Sequence, residues 1–130
     1  MTYDEIMQRI NESAKKRGVT PEKIAKDSGI TAQRLNAILA GVGTRLYTLL
    51  DMIDSVGLEL TLNGKPMPVH QDLLIYIEET LYRSGATSHS LAKKIGIHPD
   101  TAMRFFRGGN CSASTFYIIC EGMGVEVRVV

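Results

Sequence analysis

Thr20 to Gly41 reads TPEKIAKDSGITAQRLNAILAG, and Thr87 to Gly108 reads TSHSLAKKIGIHPDTAMRFFRG. The two stretches hold Thr, Ala, Lys, Gly, Ile and a closing Gly at the same offsets, yet differ throughout the residues between the Gly-Ile pair and that closing Gly. Matching offsets point to a repeated scaffold, and the variable part points to two non-identical surfaces. Sliding the chain against itself by 67 residues aligns Ile10 to Gly57 with Ile77 to Gly124 without a gap, and Ile10, Glu12, Gly18, Thr48, Gly57 and the following Glu59 also meet their own residue type. Two copies of one long unit make an internal duplication, not a solenoid.

The helix signals in each unit are frequent and close together. Thr2 with Glu5 three residues on is a capping box, which predicts a first helix from about Tyr3 to Arg17 that stops at Gly18. Thr20 followed by Pro21 opens a second helix ending near Ser28-Gly29. Thr31 caps a third, with Leu35, Ile38 and Leu39 on one face and a stop at Gly41. A fourth, about Arg45 to Val56, buries Leu46, Leu49, Leu50 and Ile53. LELTL then alternates Leu58, Leu60 and Leu62 on one side with Glu59 and Thr61 on the other, the period of a half-buried strand. The second unit follows the same plan, from a helix at Gln71 to about Ser84, through a cap at Thr87, a helix start at Pro99 and a helix ending near Met123, to the strand VEVRVV.

The expected organisation is therefore a mainly α chain with a first unit at 1–63, a turn-rich linker at 64–70 and a second unit at 71–130, each unit carrying four to five short helices and a short terminal strand. A lone strand leaves backbone groups unpaired and must find a partner. The favoured pairing is antiparallel, between the two strands of one chain, because intramolecular closure has the higher effective concentration. Pairing between two copies, giving a homodimer, is the alternative.

Composition bounds the function. The chain has 130 residues, is 44% apolar and has no Trp, so its core rests on aliphatic side chains. No apolar run is long enough for a membrane span, and the amino terminus is acidic where a secretory signal would be basic, so a cytoplasmic protein is expected. Cys111 and Cys120 lack a CxxC spacing and nearby His partners, which argues for reduced thiols and against zinc. His70, His89 and His98 are scattered, and no HExxH, P-loop or dinucleotide turn is present, so neither a cofactor nor an enzyme is expected. The net charge is only +1, but cations concentrate between Arg9 and Arg45 and again between Arg83 and Arg107, with most acids outside those segments. Charge segregated in this way can present a positive face to a polyanion.

The order short helix, Gly-Ile turn, second short helix, Gly, Leu-rich helix resembles the phage-repressor or Cro-type helix-turn-helix, the lambda-repressor-like or XRE family. The likeness rests on Ile24-Ala25, Gly29-Ile30, Thr31, Leu35, Ile38, Gly41 and Leu46 to Val56 in the first unit, and on Leu91-Ala92, Gly96-Ile97, Phe105, Gly108 and Phe116 to Met123 in the second. Ala25 and Ala92 suit a close helix crossing, Gly29 and Gly96 suit a turn of positive φ, and Ile30 and Ile97 plug that turn into the core.

In that family the helix after the turn enters the major groove of duplex DNA. The resemblance implies that Ala32, Gln33, Arg34 and Asn36 read bases, with Ala37 further along. Gln33 or Asn36 can pair with adenine, Arg34 with guanine or a phosphate, and Ala32 can meet a thymine methyl. Thr20, Thr31 and the loop to Thr44 and Arg45 would hold phosphates, with Lys23 and Lys26 adding charge. In the second unit Asp100, Thr101, Met103 and Arg104 fall on the reading positions, and Lys93, Arg107, Asn110 and Ser112 on the phosphate positions. That unit departs from the family pattern, because Pro99 and Asp100 put a rigid ring and a negative charge where Ala32 and Gln33 stand. Phe105 and Phe106 match Ile38-Leu39 and are expected in the core. The implied function is a sequence-specific DNA-binding regulator of repressor type, of phage or mobile-element character, acting at the nucleoid as a covalent pseudo-dimer. The alternative is an antitoxin-like or inhibitory module whose protein partner sits on the second unit or the terminal strands.

Overall fold

The computed structural model describes residues 1–130 in full. Eight helices and three short strands follow in the order α1 (Tyr3–Arg17), α2 (Pro21–Asp27), α3 (Ala32–Leu39), α4 (Leu46–Ser55), β1 (Leu60–Leu62), β2 (Lys65–Pro66), α5 (His70–Arg83), α6 (Ser88–Ile95), α7 (Pro99–Gly108), α8 (Ala113–Gly122) and β3 (Val127–Val129). No helix is long and apolar enough to cross a membrane.

Local chemistry sets the helix ends. Thr2 and Glu5 exchange side-chain and backbone hydrogen bonds in a full capping box, and Thr87 does the same with Ser90 at the start of α6. Gly18 closes α1 in the left-handed conformation, which lets its N–H reach back to the carbonyls of Ala14 and Lys15. The turns after α2 and α6 need the same freedom: Gly29 stands at φ 68° and Gly96 at φ 77°. Ala25 and Ala92 are buried where α2 packs on α3 and α6 on α7. Ile30 and Ile97 lean on the core half-buried and do not plug it fully. Leu35 and Ile38 on α3, and Ala102 and Phe105 on α7, point inward with 1% exposure or less. Phe106 lies half-buried, edge-on to Phe105 at 5.2 Å. An edge contact lets two adjacent aromatics share one helical face only partly.

The strands correct two expectations. All three residues of β1 are buried, Thr61 included, because β1 is the central strand of a sheet ordered β2-β1-β3 and is covered on both sides. Leu58, expected in the strand, lies before it and is half-buried. The stretch 64–70 is also not a plain linker. Asn63 (φ 51°) and Gly64 (φ 80°) make a two-residue turn of consecutive positive φ, which favours a tight hairpin, and Lys65–Pro66 pairs back antiparallel on β1. α5 then begins at His70, within the expected linker.

β1 and β3 pair antiparallel within the chain, with Leu60 opposite Val129, Thr61 opposite Arg128 and Leu62 opposite Val127. Glu59 and Val130 extend the ladder by exchanging both backbone hydrogen bonds at 2.9 Å. Thr61 and Arg128 are 67 positions apart. So are Arg45 and Ser112, which form a second antiparallel bridge in which the Leu46 N–H donates to the Cys111 carbonyl and the Ala113 N–H to the Thr44 carbonyl, both at 2.8 Å. One continuous cluster of 30 buried apolar residues runs from Ile6 to Val129 through both halves. The halves therefore share a core and are joined at two places.

Candidate nucleic-acid interface

α3 is held at its start by Thr31, whose hydroxyl oxygen accepts the Arg34 N–H at 3.0 Å. With Leu35 and Ile38 fixed inward, the helical repeat turns Gln33 and Asn36 outward; Ala32 and Arg34, in the first turn, are exposed as well, and Ala37 is half-buried. The Arg34 guanidinium donates to the Gly43 carbonyl at 3.0 Å, which draws it back over the loop after α3. Four of its five N–H donors are left for other partners by simple count. Arg45 and Lys26 are exposed nearby in sequence and make no ion pair.

Three residues expected at phosphates also hold the fold together. Thr44 is 5% exposed and its carbonyl is taken by Ala113, so burial in the junction between the halves removes it from the surface. Asn110 is half-buried, and its Oδ1 accepts the Tyr47 N–H at 3.4 Å. Ser112 caps α8 by accepting the Thr115 N–H at 3.1 Å and donates or shares hydroxyl bonds with Ser114 and Thr115. These three residues tie the loops after α3 and α7 together. Thr20 remains exposed and caps α2 through the Lys23 N–H at 3.3 Å. Lys23 pairs with Asp27 at 2.8 Å, and Ser55 donates to the same carboxylate at 2.9 Å. Those two hydrogen bonds, the one from Lys23 first, hold the Asp27 carboxyl below its ordinary range.

On α7 the outward strip is Asp100, Met103, Arg104 and Arg107, spaced so that all four share one helical face and all exposed; Thr101 is half-buried beside them. His98 caps this helix, its Nδ1 accepting the Asp100 N–H at 3.1 Å. Lys93 is exposed, while its neighbour Lys94 donates to the Gly122 carbonyl at 3.0 Å. The α3 strip is polar with one cation, and the α7 strip mixes one anion, one thioether and two cations.

Tyr47 was not legible as a functional position. Its hydroxyl donates to the Gly108 carbonyl at 2.8 Å, and its ring stacks on His70 at 4.2 Å, with His70 Nε2 3.4 Å from Asp51. One side chain of α4 thus grips the end of α7 and the start of α5. A single Tyr in an apolar helix gives no sequence signal of such a role. Cys111 and Cys120 are buried, unpaired thiols. Burial pushes Cys111 up to about 11 and Cys120 higher still, which makes both poor nucleophiles at neutral pH. No cluster of three or more His, Cys, Asp or Glu side chains is arranged to hold a metal ion.

Comparison with protein-family models, curated proteins and solved structures gave no match to this chain.

Proposed function

We propose that the chain is a sequence-specific double-stranded DNA-binding regulator of repressor type, built from two tandem helix-turn-helix units of lambda-repressor-like kind that act as a covalent pseudo-dimer. The observation that carries this reading is the strip on α3: Gln33, Arg34 and Asn36 stand exposed on the helix that follows a glycine turn, with exposed Lys26 and Arg45 on either side in the chain. Amide side chains that can pair in bidentate fashion with adenine, and a guanidinium suited to guanine, are the chemistry of major-groove readout. The pairing of Arg45 with Ser112 and of Thr61 with Arg128, each 67 residues apart, supports a twofold relation that would carry both strips on one rigid body. On that relation the half-sites lie about one helical turn, about 34 Å, apart. Their sequences differ, because the two strips differ, and the operator is asymmetric.

The test is selection from a pool of genomic fragments followed by binding across a salt series. Selected fragments are expected to bind far more tightly than bulk DNA, with affinity falling steeply as salt rises through counterion release. Affinity indifferent to both salt and sequence would end the proposal.

The exposed Asp100 and Met103 on α7 favour a second reading, a protein-interaction module whose contact surface is the second unit. A carboxylate repels phosphates, and an exposed thioether suits an apolar partner surface. Replacing Gln33 and Arg34 separates the readings: the regulator loses operator binding, and the interaction module is unaffected until α7 is altered.

A further inference from the structure

A cleft of about 810 Å³ opens between the start of α1, the loop after α3, and the α8–β3 segment. Its apolar wall is formed by Tyr117, Ile118, Val125 and Val127, and Tyr3 closes one side, edge-on to Tyr117 at 6.4 Å. Arg34 and Arg45 stand on the lining. The hydroxyl oxygens of Tyr3 and Tyr117 are both buried and have no protein partner. A buried hydroxyl left unpaired is costly, and such groups in native proteins call for an explanation. Burial raises both phenols, so each keeps its proton. Two carboxylates also line the cleft: Glu126 is engaged by Arg128, and Glu121 is exposed.

The duplication supplies an internal control. A second cleft of about 780 Å³ lies at the positions offset by 67. There Leu50 stands for Tyr117, Asp51 for Ile118 and His70 for Tyr3, while Asp54 and Glu59 match Glu121 and Glu126. That cleft holds three carboxylates and no Lys or Arg. The scaffold therefore does not require an apolar, arginine-bearing lining. The first cleft has been given one.

We propose that this first cleft binds a small aromatic carboxylate, its ring against Tyr117, Ile118, Val125 and Val127, and its anionic end taking hydrogen bonds from Arg34 and Arg45. The volume suits a small-molecule site, and a mostly apolar wall with a few convergent donors is the usual build of one. Arg34 and Tyr3 both stand on the lining of this cleft. Because Arg34 also belongs to the α3 strip, the ligand competes with DNA for the same guanidinium. This second half of the inference rests on the DNA-binding reading, and linkage makes the effect reciprocal.

The probe is 2-naphthoate, titrated into the full chain by calorimetry, with 2-naphthamide as the uncharged isostere. Saturable one-to-one binding of the acid is expected, at least tenfold weaker for the amide. Ile118→Asp, which installs the residue of the other cleft at an exposed position, is expected to weaken the acid at least tenfold, and Asp51→Ile to leave it unchanged. Should I118D melt early, Arg34→Gln serves in its place and is expected to weaken the acid without changing the amide. Absence of saturable binding, equal binding of acid and amide, or loss of binding in D51I overturns the site. So does sedimentation as a dimer that I118D dissociates, since a second copy would then fill the cleft. In the DNA arm, saturating 2-naphthoate is expected to weaken binding to a selected fragment at least tenfold, and an unchanged affinity overturns the competition. A chain that binds no fragment removes the regulator reading alone, because the calorimetric arms decide the ligand site without DNA.

Discussion

α3 and α7 occupy positions 67 residues apart and have diverged in opposite manners on their two faces. Inward, Leu35 and Ile38 on α3 are matched by Ala102 and Phe105 on α7, and all four are buried to 1% exposure or less. One position carries only a methyl group while the next carries a ring, so the number of side-chain carbons delivered to the core is kept although both identities differ. Outward, Gln33, Arg34, Asn36 and Ala37 are matched by Asp100, Thr101, Met103 and Arg104, so a carboxylate and a thioether stand where two amides do and the cation sits at a different position. Close packing constrains total volume and tolerates exchanges that preserve it. Solvent imposes no such rule, so the outward faces are free to differ in charge and polarity. The two clefts tell the same story, one acidic and one apolar on the same frame.

The comparison breaks first at the core. If the halves were independent, removing Phe105 would melt only the second. Because one buried cluster spans both, Phe105→Ala is expected to cost about 3 to 5 kcal/mol of the whole chain's stability. Urea unfolding followed by circular dichroism is expected to show a single transition moved to lower denaturant. Two separated transitions would show that the shared cluster does not couple the halves.

The outward faces are sharpened by exchanging their matched residues. Gln33→Asp puts a carboxylate on α3 where phosphates would approach, and is expected to weaken operator binding by about 1 to 3 kcal/mol, roughly 5- to 150-fold. Asp100→Gln is the reverse change on α7 and is expected to tighten binding and steepen its salt dependence. Fluorescence anisotropy on a selected fragment at two salt concentrations measures both. Equal and negligible effects would favour the interaction reading, in which α3 faces no ligand.

Much of this frame was legible in the sequence because its signals are local. Thr2, Thr20, Thr31 and Thr87 announced helix starts, and Gly18, Gly29 and Gly96 announced ends or turns, since each acts through its own backbone and near neighbours. The antiparallel β1–β3 pairing followed from the duplication. What escaped depends on contacts far apart in the chain. Thr44, Asn110 and Ser112 look like loop residues by sequence, and only the meeting of two loops shows them to be junction residues. Thr61 alternates as an outward residue should, yet the hairpin that Asn63-Gly64 closes makes β1 a central strand and covers it. The clefts were invisible for the same reason, since Tyr3 and Tyr117 come together only in the folded chain.

The smallest expected effect separates the halves by their thiols. Cys111 and Cys120 belong to the second half, and Thr44 and Ile53 stand at the matched positions of the first. Burial raises Cys111 from its ordinary value of 9.0 to about 11, and raises Cys120 and Tyr117 as well. A raised value in the fold means that the neutral form is favoured there, so Cys111 contributes stability that is fully present below pH 9 and lost as pH climbs from 9 through about 11, while the loss from Cys120 begins at pH 9 and that from Tyr117 at pH 10, and both continue above 11. The melting temperature is expected to be level from pH 6 to 8 and to fall progressively between pH 9 and 11. Cys111→Thr, which copies the first half's residue, is expected to soften that fall. Iodoacetamide at pH 8 is expected to label neither thiol until urea opens the chain, and rapid labelling of the native protein would mean that the junction between the halves opens far more readily than its buried, doubly bridged geometry allows.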